Sequence, residues 1–142
     1  MSQSPKWIYK ILPHSSVDTR YTFPIPIPAS HSFFLSELDY KDGFVHLSTA
    51  AQVPRTLERF FSDVPAVTLL RLETARISAF KRVRWEESHG EKFPHLYALL
   101  EGENIDSFKE VHRTLAKSGE KLDGQGLAGW GEALKSVDGW LE

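Results

Sequence analysis

The residues best equipped for chemistry fall in three short stretches that share one habit. In Asp42-Gly43-Phe44-Val45-His46-Leu47-Ser48-Thr49, a strand-like alternation sets Phe44, His46 and Ser48 on one face and Val45, Leu47 and Thr49 on the other. Arg84 and Glu86 alternate with Val83 and Trp85, and Phe93, His95 and Tyr97 alternate with Pro94, Leu96 and Ala98. Each stretch pairs an apolar face with a polar one, and the three polar faces are expected to converge on one pocket. An imidazole such as that of His46 can act as acid, base or hydrogen-bond anchor. Ser48 lacks a Gly-x-Ser-x-Gly elbow, so it reads as a hydrogen-bonding group or helix cap and not as a nucleophile. Arg84 and Glu86, two apart on one face, could anchor an anion and orient a hydroxyl; the rival reading is a surface ion pair of small energetic value. His95, flanked by Phe93 and Tyr97, is either a pocket residue or an ordinary packed histidine.

Metal chemistry finds less support. His46, Glu86 and His95 have donor atoms enough for an ion but no His-x-x-x-His type spacing, so no metal is assigned. His14, His31, His89 and His112 fall in expected loops or on an expected helix and receive no role. With no cysteine in the chain, thiol nucleophiles, disulfides and Cys-ligated zinc are all excluded. Phosphate-loop and Gly-x-Gly-x-x-Gly patterns are also missing.

The elements that must position these groups can be read in outline. Trp7 to Leu12 is an aromatic and β-branched run stopped by Pro13, an opening strand with Trp7, Tyr9 and Ile11 against Ile8, Lys10 and Leu12. Phe23-Pro24-Ile25-Pro26-Ile27-Pro28 forbids a helix and predicts an extended loop. A short helix is expected over residues 30–38. Thr49 and Gln52 have capping-box spacing, while Pro54 suits a first turn, which predicts a tight turn and then a helix burying Leu57, Phe60 and Phe61. Ala66 to Leu72 reads as a core strand, and Glu73 to Phe80 as a helical connection. Val83 to Glu86 and Phe93 to Leu99 read as a hairpin. Ser107 and Glu110 open an expected helix with Phe108, Val111 and Leu115 on one stripe. Trp130, Leu134, Val137 and Leu141 define an amphipathic C-terminal helix, offered either to the domain or to a partner. Without a regular β-α-β rhythm the class is α+β.

Length and composition fit one domain over residues 1–142, with a Pro-rich insertion at about 21–30 and a helical extension over 107–142. At 142 residues the chain can bury about two-thirds of its unfolded surface. Its hydrophobic fraction of 41% and charged fraction of 25% are those of a globular protein. A net charge of -2 gives no pull toward nucleic acid, and no apolar run approaches the ~20 residues of a membrane span. The expectation is a cytoplasmic protein, monomeric or homodimeric, with a small-molecule partner.

The block from Asp42 to Val53, followed by Leu69-Leu70, Arg84-Trp85-Glu86 and Phe93-Pro94-His95-Leu96-Tyr97, resembles the family known as domain of unknown function 952 across residues 7–106. That resemblance implies a fold like the ADP-ribosyltransferase domain: a split, bent, mixed β-sheet with a nicotinamide-dinucleotide cleft, here followed by C-terminal helices. It further implies a ligand of the NAD or ADP-ribose class, as substrate or ligand, and transferase or hydrolase chemistry at ribose. Ser48-Thr49 resembles the Ser-Thr strand of such enzymes and Glu86 their ribose-orienting glutamate, although no Glu-x-Glu occurs near Glu86. On this view His46 and Glu86 are catalytic, while Ser48, Thr49, Arg84, His95 and Tyr97 bind ligand. The alternative is a non-catalytic interaction domain that docks through its C-terminal helix.

Overall fold

A computed structural model describes residues 4–115 and 126–142. The chain forms two three-stranded antiparallel sheets. In the first, β1 (Trp7–Pro13) and β6 (Ser107–His112) flank β3 (Ala66–Glu73). In the second, β2 (Val45–His46) and β4 (Val83–Ser88) flank β5 (Glu91–Leu96). The expected split is present, but every ladder pairing is antiparallel, so the sheets are not mixed in direction. Among the described residues are four short helices: α1 (Glu37–Asp42), α2 (Val53–Phe60), α3 (Thr74–Phe80) and α4 (Trp130–Ala133), the last continuing as a 3-10 turn over Leu134–Val137.

The first sheet is covered on both faces, which explains the unbroken apolar run of β3. On one side Ile8, Leu12, Leu70 and Leu72 pack against Val45, Leu47 and Leu96 of the second sheet's layer. On the other, Tyr9, Ile11, Val67, Leu69 and Val111 meet Val53 and Leu57 of α2 together with Trp130, Leu134 and Val137. Trp130, Leu134 and Val137 of the C-terminal stripe are therefore buried against the chain's own core, with Leu141 partly covered, and the indole of Trp130 donates to the Phe61 carbonyl at 2.9 Å.

Three expectations give way to the structure. Ser107 to Leu115 is not a helix: residues 107–112 pair with β3 over six register positions. Phe108 and Val111 consequently point into opposite core layers, as strand neighbours at odd spacing must. The early helix lies at Glu37–Asp42 and not over 30–38, because Ser36 supplies the N-cap, its hydroxyl accepting from the Asp39 amide at 3.0 Å. Gly43, at φ 80°, then closes it in the left-handed conformation. Finally, Phe60 of the α2 stripe is 52% exposed, since the helix turns it away from the Leu57 side.

The proline loop is seated by backbone. Glu103 donates to the Ala29 carbonyl at 3.0 Å and Gly102 to the His31 carbonyl at 2.7 Å. A Cβ at Gly102 would stand 1.9 Å from the Pro28 carbonyl oxygen, so only glycine fits at this approach. Phe23 packs edge-on to Phe33 and Phe108 at 5.6 and 5.1 Å, fixing the loop over the core.

Candidate functional site

The two sheets touch edge to edge at a single bridge, where Tyr9 N–H donates to the Ser48 carbonyl at 2.8 Å and Ser48 N–H returns a bond at 2.9 Å. Beside this bridge opens a cavity of about 480 Å³. Lys10 to Pro13 of β1, Asp39 and Asp42 of α1, and His46, Leu47, Ser48 and His95 from the second sheet's layer line it. Arg59, Phe60 and Phe61 at the end of α2, with Phe93 and His89, complete the wall. Most of the exposed lining surface is apolar, with polar groups contributed by several elements, a usual form for a small-molecule site.

Two histidines of the wall face each other. His46 and His95 are register partners of β2 and β5, so their side chains share a sheet face, and their ring centroids are 5.4 Å apart. Phe44 stacks on His95 at 4.0 Å with planes 14° apart and leans on His46 at 4.5 Å. Arg84 pairs in register with His95, and Glu86 with Phe93, so both project from this same face.

His46 is held at both nitrogens. Its Nδ1 lies 2.6 Å from Asp39 Oδ1 and its Nε2 2.9 Å from Asp42 Oδ2. Each bond to a carboxylate uses a ring N–H, so the form that makes both is the imidazolium. Asp39 is 2% exposed and also receives Lys10 Nζ at 2.6 Å and the His46 amide at 3.1 Å. Burial alone would raise the Asp39 carboxyl, but the His46 hydrogen bond and the Lys10 charge outweigh it and bring the pKa down to about 2. Lys10, 6% exposed, forms a buried ion pair with Asp39 at the root of a chain of alternating charge that runs out through His46 to the more exposed Asp42.

His95 is held at one nitrogen. It is 6% exposed, and its Nδ1 lies 2.9 Å from Glu86 Oε1, which also accepts from Tyr97 OH at 2.6 Å. The Tyr97 bond, followed by that to His95, keeps the Glu86 carboxyl below its ordinary range, so Glu86 accepts and His95 Nδ1 donates. His95 Nε2 has no protein partner among the described residues. Glu86 and Tyr97 are not part of the cavity wall; they hold His95 from behind.

The remaining expected site residues divide. Ser48 lines the cavity and lies 3.4 Å from the Thr56 hydroxyl. Thr49 does not reach the cavity: it forms a reciprocal cap with Gln52, whose amide lies 3.3 Å from Thr49 Oγ1 while Gln52 Oε1 accepts from the Thr49 amide at 3.0 Å. Arg84 is exposed outside the cavity, with its guanidinium 5.9 Å from the Tyr97 ring centre. In its place Arg59 supplies a cation to the cavity wall, and it has no carboxylate partner among the described residues.

Sequence reasoning missed Lys10, Asp39, Asp42 and Arg59. The signal for the two aspartates was present: Ser36-x-x-Asp39 is a capping pattern, and Asp39 and Asp42 are three apart on a helix that Gly43 stops just before His46.

Comparison with known proteins places this site in context. No curated protein matches the chain. The crystal structure of protein CC0527 from Caulobacter crescentus is similar, with 26% identity and a TM-score of 0.61 over 91% of this chain and 98% of that one. The solution structure of CC0527 gives a TM-score of 0.56 at the same 26% identity, over 90% and 96% of the two chains. A family model described as a protein of unknown function, DUF952, matches residues 27–108, a span that holds α1, the second sheet and both histidines. The chain belongs to the DUF952 family.

Proposed function

We propose that the cavity binds a nucleotide of the NAD or ADP-ribose class and that its histidine end carries out acid-base chemistry at the ribose. The observation that carries this reading is His95: buried, fixed through Nδ1 by Glu86, and left with an Nε2 that has no partner among the described residues, 5.4 Å, ring to ring, from His46. A histidine oriented in this way is equipped to take a proton from a hydroxyl or a water. His46, with both ring nitrogens engaged by Asp39 and Asp42, is a rigid wall of the same end. The phenylalanines of the wall offer flat apolar surface for a base, and Arg59 offers a cation for a phosphate. Glu86 and Tyr97 are positioning residues in this scheme. The cavity beside the junction of the two sheets is where this reading seats the nucleotide.

Thermal unfolding with NAD, ADP-ribose and mononucleotides tests the reading. A ligand at a hundred times its Kd stabilises by about 2.7 kcal/mol. That gain should appear in the native chain, vanish in His95→Ala and shrink in Arg59→Ala, while Lys135→Ala, at an exposed position outside the cavity wall, keeps it. Conversion of the stabilising compound, followed by chromatography, should be lost in His95→Ala. If none of these compounds stabilises the native protein at millimolar concentration, the reading fails.

A further inference from the structure

Beyond the cleft, the end of the first sheet gathers three donor side chains that no role so far explains. In β6, Glu110 and His112 are two apart and share a face. His14 follows β1, and its amide donates to the Ala66 carbonyl at 3.0 Å, while Ala66 pairs in register with His112. His14, Ala66 and His112 thus lie side by side across three strands. The alanine in the middle leaves room for the two imidazoles to meet over it, at a ring separation of 4.7 Å.

Glu110 sits between them. Its Oε1 is 3.1 Å from His14 Nε2 and 3.2 Å from His112 Nε2, and the donor atoms of all three residues lie within 4.8 Å of one another. In a tetrahedral zinc site with bonds of 2.0 to 2.1 Å, neighbouring donors stand roughly 3.3 Å apart. Two of the three edges already have that length. Among the described residues no other trio of histidine, cysteine, aspartate or glutamate meets this spacing.

We propose that His14, Glu110 and His112 bind one divalent transition cation of the zinc class through two imidazole nitrogens and one carboxylate oxygen. A fourth position is left open to water. Such a mixed nitrogen and oxygen set suits zinc, nickel, cobalt or copper over magnesium or calcium. Loading requires the Nε2 proton that His14 directs at Glu110 to give way to one on Nδ1, where Ser16 Oγ, at 2.8 Å, accepts it. The Ser16 amide, which donates to Nδ1 at 3.1 Å, then turns to water, as its exposed position permits. The cation would clip the segment after β1 to β6 across the end of β3.

Titration calorimetry with zinc chloride, on the full chain free of any histidine tag, tests the site. One ion per chain should bind. Cobalt should give the intense visible absorption of a tetrahedral centre. His112→Ala and Glu110→Gln, both on exposed side chains, should abolish the cobalt spectrum, and Ser16→Ala should weaken binding by about tenfold. His95→Ala should leave metal binding intact, which separates this site from the cleft. Absence of binding to the native chain overturns the proposal. So does full binding by the His112→Ala, Glu110→Gln double variant, because the ion would then sit elsewhere.

Discussion

His46 and His95 sit opposite each other on one strand pair, yet the chain holds them in opposite ways. His46 is gripped at both nitrogens by aspartates of α1, one of them buried together with a lysine. His95 is gripped at one nitrogen by a glutamate that lies outside the cavity. The first arrangement joins the imidazole to the stability of the fold. The second leaves a ring nitrogen free to act, and a carboxylate that can be altered without disturbing the core. Chemical availability at this site is set by how many ring nitrogens the protein occupies, and less by the depth at which the ring lies.

This contrast can be broken at its heaviest point. Asp39→Ala should cost about 3–5 kcal/mol, because it strands the buried Lys10 ammonium as well as freeing His46. Chemical denaturation would measure the loss, and a calorimetric midpoint should fall by on the order of 10 °C. An effect as small as that of a surface ion pair would mean that the buried charge chain is not structural.

The same carboxylate predicts a pH dependence with a fixed sign. With the folded pKa at about 2 against an ordinary 3.8, Asp39 stabilises the protein above that ordinary value and loses its contribution as pH falls through the folded one. The contribution at neutral pH is about 2 kcal/mol. Native protein and Asp39→Asn should therefore differ most near neutrality and converge as pH falls from about 4 to about 2. Divergence in that window would reverse the assignment.

On the other side of the comparison, Glu86→Gln should leave the thermal midpoint almost unchanged while relaxing the His95 tautomer. Nitrogen NMR of the ring would report it as mixing of the Nδ1–H and Nε2–H forms. The smallest change is expected from Tyr97→Phe, which removes the first of the two hydrogen bonds that hold the Glu86 carboxyl low. The carboxyl should titrate at higher pH than in the native chain, with the His95 to Glu86 bond intact. A fixed Glu86 titration would show that the tyrosine does not share in holding the dyad.

Much of the second sheet could be read from alternation alone, because one of its faces is buried and the other polar. Val45, Leu47, Leu96 and Trp85 went inward, and His46, His95, Glu86 and Tyr97 shared the opposite side. Segment 107–112 resisted the same treatment. Its Ser-x-x-Glu spacing and its apolar positions fit a helix locally, and only the open edge of β3 made the extended form better. Lys10 was legible as a polar intruder on the Ile8 to Leu12 face, but its partner lies 29 residues away on a helix of six residues. Arg59 gave no local sign at all. Its value depends on the shape of a cavity, which spacing along a chain does not encode. The trio of His14, Glu110 and His112 was hidden for a related reason, since two of its members were assigned to a helix that does not form.

Gly102 controls far more chain than its own turn. Where other residues carry a carbon it carries a hydrogen, and through that gap the carbonyl of Pro28 comes close enough to lock the whole proline segment against the body. A single methyl there would act as a wedge, prising away the layer that Phe23 anchors.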